Sequence, residues 1–102
     1  MTEKEFALRL ARLREKKGVS AREMSLSIGQ NQGYINSIES GKSMPSLPGI
    51  FYICEYLHIT PKEFFDVDAG DPEALREMIA NLKRLGPDEF EALSKIVDGL
   101  VK

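Results

Sequence analysis

Side chains able to do covalent or acid–base chemistry are scarce in this 102-residue chain, which has one histidine, His58, and one cysteine, Cys54. Four residues apart on one predicted helix, they could form a thiol–imidazole pair, the arrangement that activates a nucleophile. Cys54 lies in an apolar run, where core packing is the usual explanation for a cysteine. His58 near a helix C-terminus suits the helix dipole equally well. No Cys/His cluster has the spacing of metal ligands, and no glycine-rich loop could cradle a phosphate. The sequence therefore predicts no enzyme, no cofactor and no metal. A lone cysteine cannot close an internal disulfide, which points to a reducing, cytoplasmic setting.

What remains is recognition without bond-making, and its densest signal is residues 20–42, SAREMSLSIGQNQGYINSIESGK. Two short helical patterns flank a tight turn at Gly29. Neither helix can bury enough surface alone. Clamped at a large angle on another helix, the two make a rigid unit that projects the second, and such a helix fits the major groove of DNA.

The elements that must position this unit are also legible. Phe6, Leu10 and Leu13, with Ala7 and Ala11 beside them, form one apolar stripe on a helix over about 4–17, stopped at Gly18 after two lysines. Ser20-Ala21-Arg22-Glu23 reads as a capping box opening a helix that buries Met24 and Ile28. Ile35 and Ile38 mark the next helix, stopped at Gly41. Ser46 caps a fourth, carrying Ile50, Phe51, Ile53, Cys54 and Leu57, with Pro48 tolerated in its first turn. Thr60-Pro61-Lys62-Glu63 is a second capping box, leading to Phe64-Phe65. Val67–Gly70 is short and polar and reads as a linker. A sixth helix starts at Asp71-Pro72 with the stripe Leu75, Met78, Ile79, Leu82, Leu85. After Gly86-Pro87 a seventh carries Phe90, Leu93, Ile96, Val97, Leu100 and Val101.

These spaced residues resemble the Xre/Cro/phage-repressor helix-turn-helix family. The resemblance rests on Leu10, Leu13 and Arg14 before Lys17-Gly18; on Ser20, Glu23, Met24, Ile28 and Gly29; on Tyr34-Ile35, Ile38-Glu39 and Gly41-Lys42; on Pro45-Ser46-Leu47; and on Leu57, Ile59-Thr60-Pro61 and Glu63-Phe64-Phe65. It implies an all-α fold: a lambda-repressor-like five-helix domain over 1–66, followed by two amphipathic helices over 71–102 as a possible dimerisation element.

The resemblance also implies roles. A recognition helix from about Gln32 to Ser40 would turn Gln32, Gly33, Asn36 and Ser37 outward, and Gln32 and Asn36 have the paired donor and acceptor that suit an adenine edge. Phosphate contacts would come from Ser20, Arg22, Asn31, Tyr34, Ser40 and Lys42 and from helix N-termini. Surface solubility is the alternative for Arg22 and Lys42, and packing against the first helix is the alternative for Tyr34. Asn31 is a candidate cap for the recognition helix. Arg14 and Glu39 occupy the positions of a structural ion pair. The chain departs from the family pattern at Ala21, where a phosphate-touching glutamine is common, at Gln30, where an apolar residue is usual, and at Gly33, which offers a base no side chain. Leu26 stands where a polar residue is common, and is expected to pack partly.

Charge qualifies this picture. The formal net charge is −2, and residues 1–66 carry nine Lys/Arg against eight Asp/Glu while 67–102 carry five against eight. Duplex binding must then rest on local placement of charge, and a homodimer, with two recognition helices one DNA turn of about 34 Å apart, would double the contacts. The C-terminal helices could instead fold back on the core or, as in antitoxin-type relatives, bind another protein. The expected partners are thus double-stranded DNA, a second copy and, in the antitoxin-type alternative, a further protein through those helices. No membrane segment or signal peptide is expected.

Overall fold

A computed structural model describes residues 1–68 and 70–102, and among these it contains seven α-helices and no strand. Helix α1 spans Glu3–Lys17; Thr2 accepts from the Glu5 N–H at its start, and the Gly18 N–H closes its end on the Arg14 and Glu15 carbonyls. Helices α2 (Ala21–Ser27) and α3 (Tyr34–Glu39) follow. Helix α4 (Leu47–Leu57) begins at Ser46, whose hydroxyl accepts from the Gly49 N–H. Helix α5 (Pro61–Phe65) has a complete capping box between Thr60 and Glu63. At α2 only the serine half of the expected box forms: Ser20 Oγ accepts from the Glu23 N–H at 3.0 Å.

The chain divides into two compact units, Met1–Pro72 and Glu73–Lys102. The linker read at Val67–Gly70 includes Ala69, which lies outside the described residues. In the first unit the stripes of α1 to α5 converge on one core: Phe6, Leu10, Leu13, Met24, Ile35, Ile38, Ile53, Cys54, Leu57, Ile59 and Phe64 are all buried. Phe6 and Phe64 stack tilted at 5.0 Å between ring centroids, joining α1 to α5. Arg9 completes that junction. Though only 5% exposed, it donates to the carbonyls of Phe64 at 2.7 Å, and of Glu63 and Asp66 at 2.9 Å. One guanidinium thus satisfies carbonyls that the end of α5 leaves open, and its burial lowers its pKa.

The second unit holds helices α6 (Pro72–Leu82, its first residue at the boundary) and α7 (Pro87–Val101). The apolar stripe read through Leu85 runs past the end of α6. There the chain tightens, with the Arg84 and Leu85 N–H groups bonding the Asn81 and Leu82 carbonyls three residues back. Glu89 reaches back to the Gly86 N–H at 3.0 Å and starts α7. No residue of α7 is buried, and Leu75, Met78, Ile79, Ile96, Leu100 and Val101 all stand exposed. Leu82 and Leu93 are half-buried and line a shallow groove with Phe90 and Val97.

Candidate nucleic-acid interface

Helices α2 and α3 are held as one unit by a side chain that looks like surface in the sequence. Ser25 is fully buried. Its Oγ donates to the Ala21 carbonyl at 2.7 Å and accepts from the Ile35 N–H at 3.0 Å. The first bond lies within α2; the second takes one of the N–H groups that the first turn of α3 leaves without a helical partner. One hydroxyl therefore fixes where α3 starts relative to α2. Between them the chain reverses at Gly29, whose φ of 78° is a left-handed value that glycine adopts without strain, and the Gln30 N–H bonds the Ser25 carbonyl at 2.9 Å. Ser25 shares a stripe with Ala21 and Ile28 at i, i+4, i+7, the sequence signal that could have found it.

The recognition helix is shorter than the span of Gln32 to Ser40 read from the sequence. Regular α-helix runs only from Tyr34 to Glu39, with Gly33 at the N-cap position. Asn31 does cap, but it caps the turn that precedes the helix: its Oδ1 accepts from the Gly33 N–H at 3.0 Å while its carbonyl accepts from the Tyr34 N–H at 3.1 Å. A glycine among the opening residues, with its weak helix propensity, favours this turn over an extra turn of α-helix. Gln32 thus precedes the helix.

The inner face of α3 is Ile35 and Ile38, both buried. On the outside Asn36 is exposed and Ser37 partly so, and Gln32 and Gly33 are exposed in the turn before them. Ser20, Arg22, Asn31, Ser40 and Lys42 are exposed as well. With its oxygen engaged by Gly33, the exposed Asn31 amide has its NH2 group as a donor. Ser20 accepts from Glu23 and keeps its own proton to donate, whereas the Ser40 hydroxyl donates to the Ser37 carbonyl at 3.2 Å. Leu26 is 53% exposed, so only part of it is covered. Tyr34 is half-buried against the core, and that burial raises its pKa. Its hydroxyl end lies against Gly49 of α4.

Arg14 and Glu39 meet in a two-pronged ion pair, Nε to Oε2 at 2.7 Å and Nη2 to Oε1 at 2.9 Å, with Nη1 donating to the Val19 carbonyl at 2.8 Å. The Glu39 hydrogen bond raises the Arg14 pKa further. Glu39 is the one acid of α3. Its partner turns that charge inward and neutralises it, so the helix does not carry a free carboxylate to a polyanion.

Cys54 and His58 do not share a helix as read from the sequence. His58 is the left-handed residue that ends α4, and Cys54 is buried in the core, where desolvation pushes the thiol from 9.0 up to about 11. At neutral pH that sulfur is a protonated, packed group. Among the described residues no helix is long and apolar enough to cross a membrane.

A family model for the helix-turn-helix, HTH_3, matches residues 10–64, a span that holds α2, α3 and α4 whole, with the second half of α1 and most of α5. Searches of curated proteins and of solved structures gave no significant match. The matched span is more than half of the chain and coincides with the bracing by Ser25, Arg14 and Glu39 described above; the chain belongs to the Cro/C1-type, Xre-like helix-turn-helix family of DNA-binding transcriptional regulators.

Proposed function

We propose that the chain is a sequence-specific regulator that lays α3 into the major groove of duplex DNA. Gln32, Asn36 and Ser37 would meet base edges, and Gly33 would let the backbone approach them closely. Ser20, Arg22, Asn31, Tyr34, Ser40 and Lys42 would hold the flanking phosphates and so fix register. One observation carries this reading: α3 is locked from behind by Ser25 and by Arg14–Glu39 while its opposite face exposes Asn36, with Gln32 in the turn beside it. A rigid helix with a free amide-bearing face is what base readout requires. No catalytic step is part of the proposal.

The second unit supports action as a homodimer. Both of its helices leave apolar stripes open to solvent, an arrangement that suits a partner surface. The same stripes would serve an antitoxin-type module that acts through a different protein. Light scattering separates the two, because the homodimer reading requires a mass of twice the chain without any added partner.

Readout is tested by the double variant Gln32→Ala/Asn36→Ala. It should keep its circular dichroism and melting temperature and lose its preference among sequences selected from a random duplex pool by the wild-type chain, at about 1–3 kcal/mol per lost contact. Unchanged preference would show that these amides do not read bases.

A further inference from the structure

Gly49 is a buried glycine in the first turn of α4, where a helix would be better served by alanine. The reason for glycine is spatial. A Cβ built there would lie 2.6 Å from the Tyr34 hydroxyl, and 3.3 Å from both Pro45 Cβ and Ser46 Oγ. The last two distances are tight but tolerable; the first cannot be occupied without moving the tyrosine. Tyr34 is the first residue of α3, half-buried against the core through its ring. Its far end therefore sits in a notch that only a residue without a side chain leaves open.

We propose that Gly49 is a positioning residue for DNA readout: the notch on α4 seats Tyr34 and thereby fixes the pitch of α3 at its N-terminal end. The inference rests on α3 being the reading helix. The two other braces tie α3 to other helices. Ser25 ties the Ile35 backbone to α2, and Arg14 holds Glu39 at the far end of α3. The notch gives the end of α3 next to Gln32 and Asn36 a contact with the first turn of α4, in addition to Ile35 in the core. A Gly49→Ala methyl pushes the tyrosine tip outward, and the helix start follows because the ring is held by the core. Recognition geometry tolerates only about 0.5 Å of such movement.

The test is a double-mutant cycle in the full chain with Gly49→Ala, Tyr34→Phe and both together. The probe is a duplex selected from a random pool by the wild-type chain, and amide chemical shifts of Ile35–Glu39 are followed by NMR. Gly49→Ala should weaken binding about tenfold and move the α3 amides, with melting temperature held or raised by the gain in helix propensity. In the Tyr34→Phe background, where the clashing oxygen is gone, the same Gly49→Ala change should cost less than about twofold and leave the amides still. An equal loss in both backgrounds overturns the notch, as does a Gly49→Ala variant whose α3 amides do not move. Amides that shift while affinity holds overturn the positioning role. If the wild-type chain selects no sequence at all, the reading of α3 fails, and the amide shifts still decide whether the tyrosine and the glycine are coupled.

Discussion

The two units treat the same kind of residue in opposite ways. In Met1–Pro72, Phe64 is wholly buried and three backbone carbonyls around it are held by Arg9. In Glu73–Lys102, Leu100 is 80% exposed and no residue of α7 is buried. The first unit satisfies its own apolar surface, as a platform for a rigid reading helix must. The second leaves apolar surface that only another surface can cover. Covered and uncovered apolar surface thus fall on separate stretches of one short chain.

That contrast breaks first where burial is greatest. Phe64→Ala should lower unfolding stability by about 3–5 kcal/mol, read by urea titration of the full chain, because an aromatic is removed from a packed site that cannot fully collapse. A loss below about 1 kcal/mol would mean that the core of the first unit is as loose as the face of the second. Next comes Glu39→Gln, which leaves the guanidinium of Arg14 facing a neutral amide in a site where the side chains are 16% and 12% exposed. Because that pair is not fully desolvated, the expected cost is about 2–3 kcal/mol, below the cost of a fully buried one, with DNA affinity falling further as the charge and angle of α3 are disturbed.

The Cys54 thiol gives a pH signature confined to the first unit. Its pKa is raised on folding, so the neutral thiol stabilises the fold below the unfolded value of 9.0, and that contribution drains away as pH rises through about 11. Between those values wild-type stability should fall by on the order of 2 kcal/mol relative to Cys54→Ala measured alongside. Parallel curves for the two proteins would place the sulfur nearer to water than the structure does. The smallest effect on folding is expected from Leu100→Ala, within about 0.5 kcal/mol for the monomer. The same change should raise the concentration at which the chain dimerises, measured by sedimentation. A large drop in monomer stability would show that Leu100 belongs to a core after all.

Element boundaries were legible wherever a side chain bonds the backbone a few residues away. Ser20, Ser46 and Thr60 each accept the N–H three residues on, and each starts its helix where the sequence places it. The apolar stripes of α1 and α4 likewise named most of the core. The start of α3 was not legible, because Asn31 can cap either a turn or a helix, and its Oδ1 takes the Gly33 N–H of the turn that precedes α3. Arg9 and Ser25 look like surface residues by type; Arg9 bonds carbonyls more than fifty residues along the chain, and Ser25 takes the Ile35 N–H from the next helix. Gly49 gave no sign of its close neighbour for the same reason.

The sequence by itself determined seven helices, the serine and threonine caps of α2, α4 and α5, the order in which the helices come and the family they make, since local hydrogen bonds and a repeat of 3.6 residues are properties of neighbours along the chain. Only the tertiary structure decided that Ser25 and Arg14 tie α3 to its neighbours, that Arg9 holds the end of α5, and that no residue of α7 is buried. Those outcomes depend on which atoms meet across the fold. Burial and contact between distant residues follow from packing in three dimensions, which no local pattern encodes.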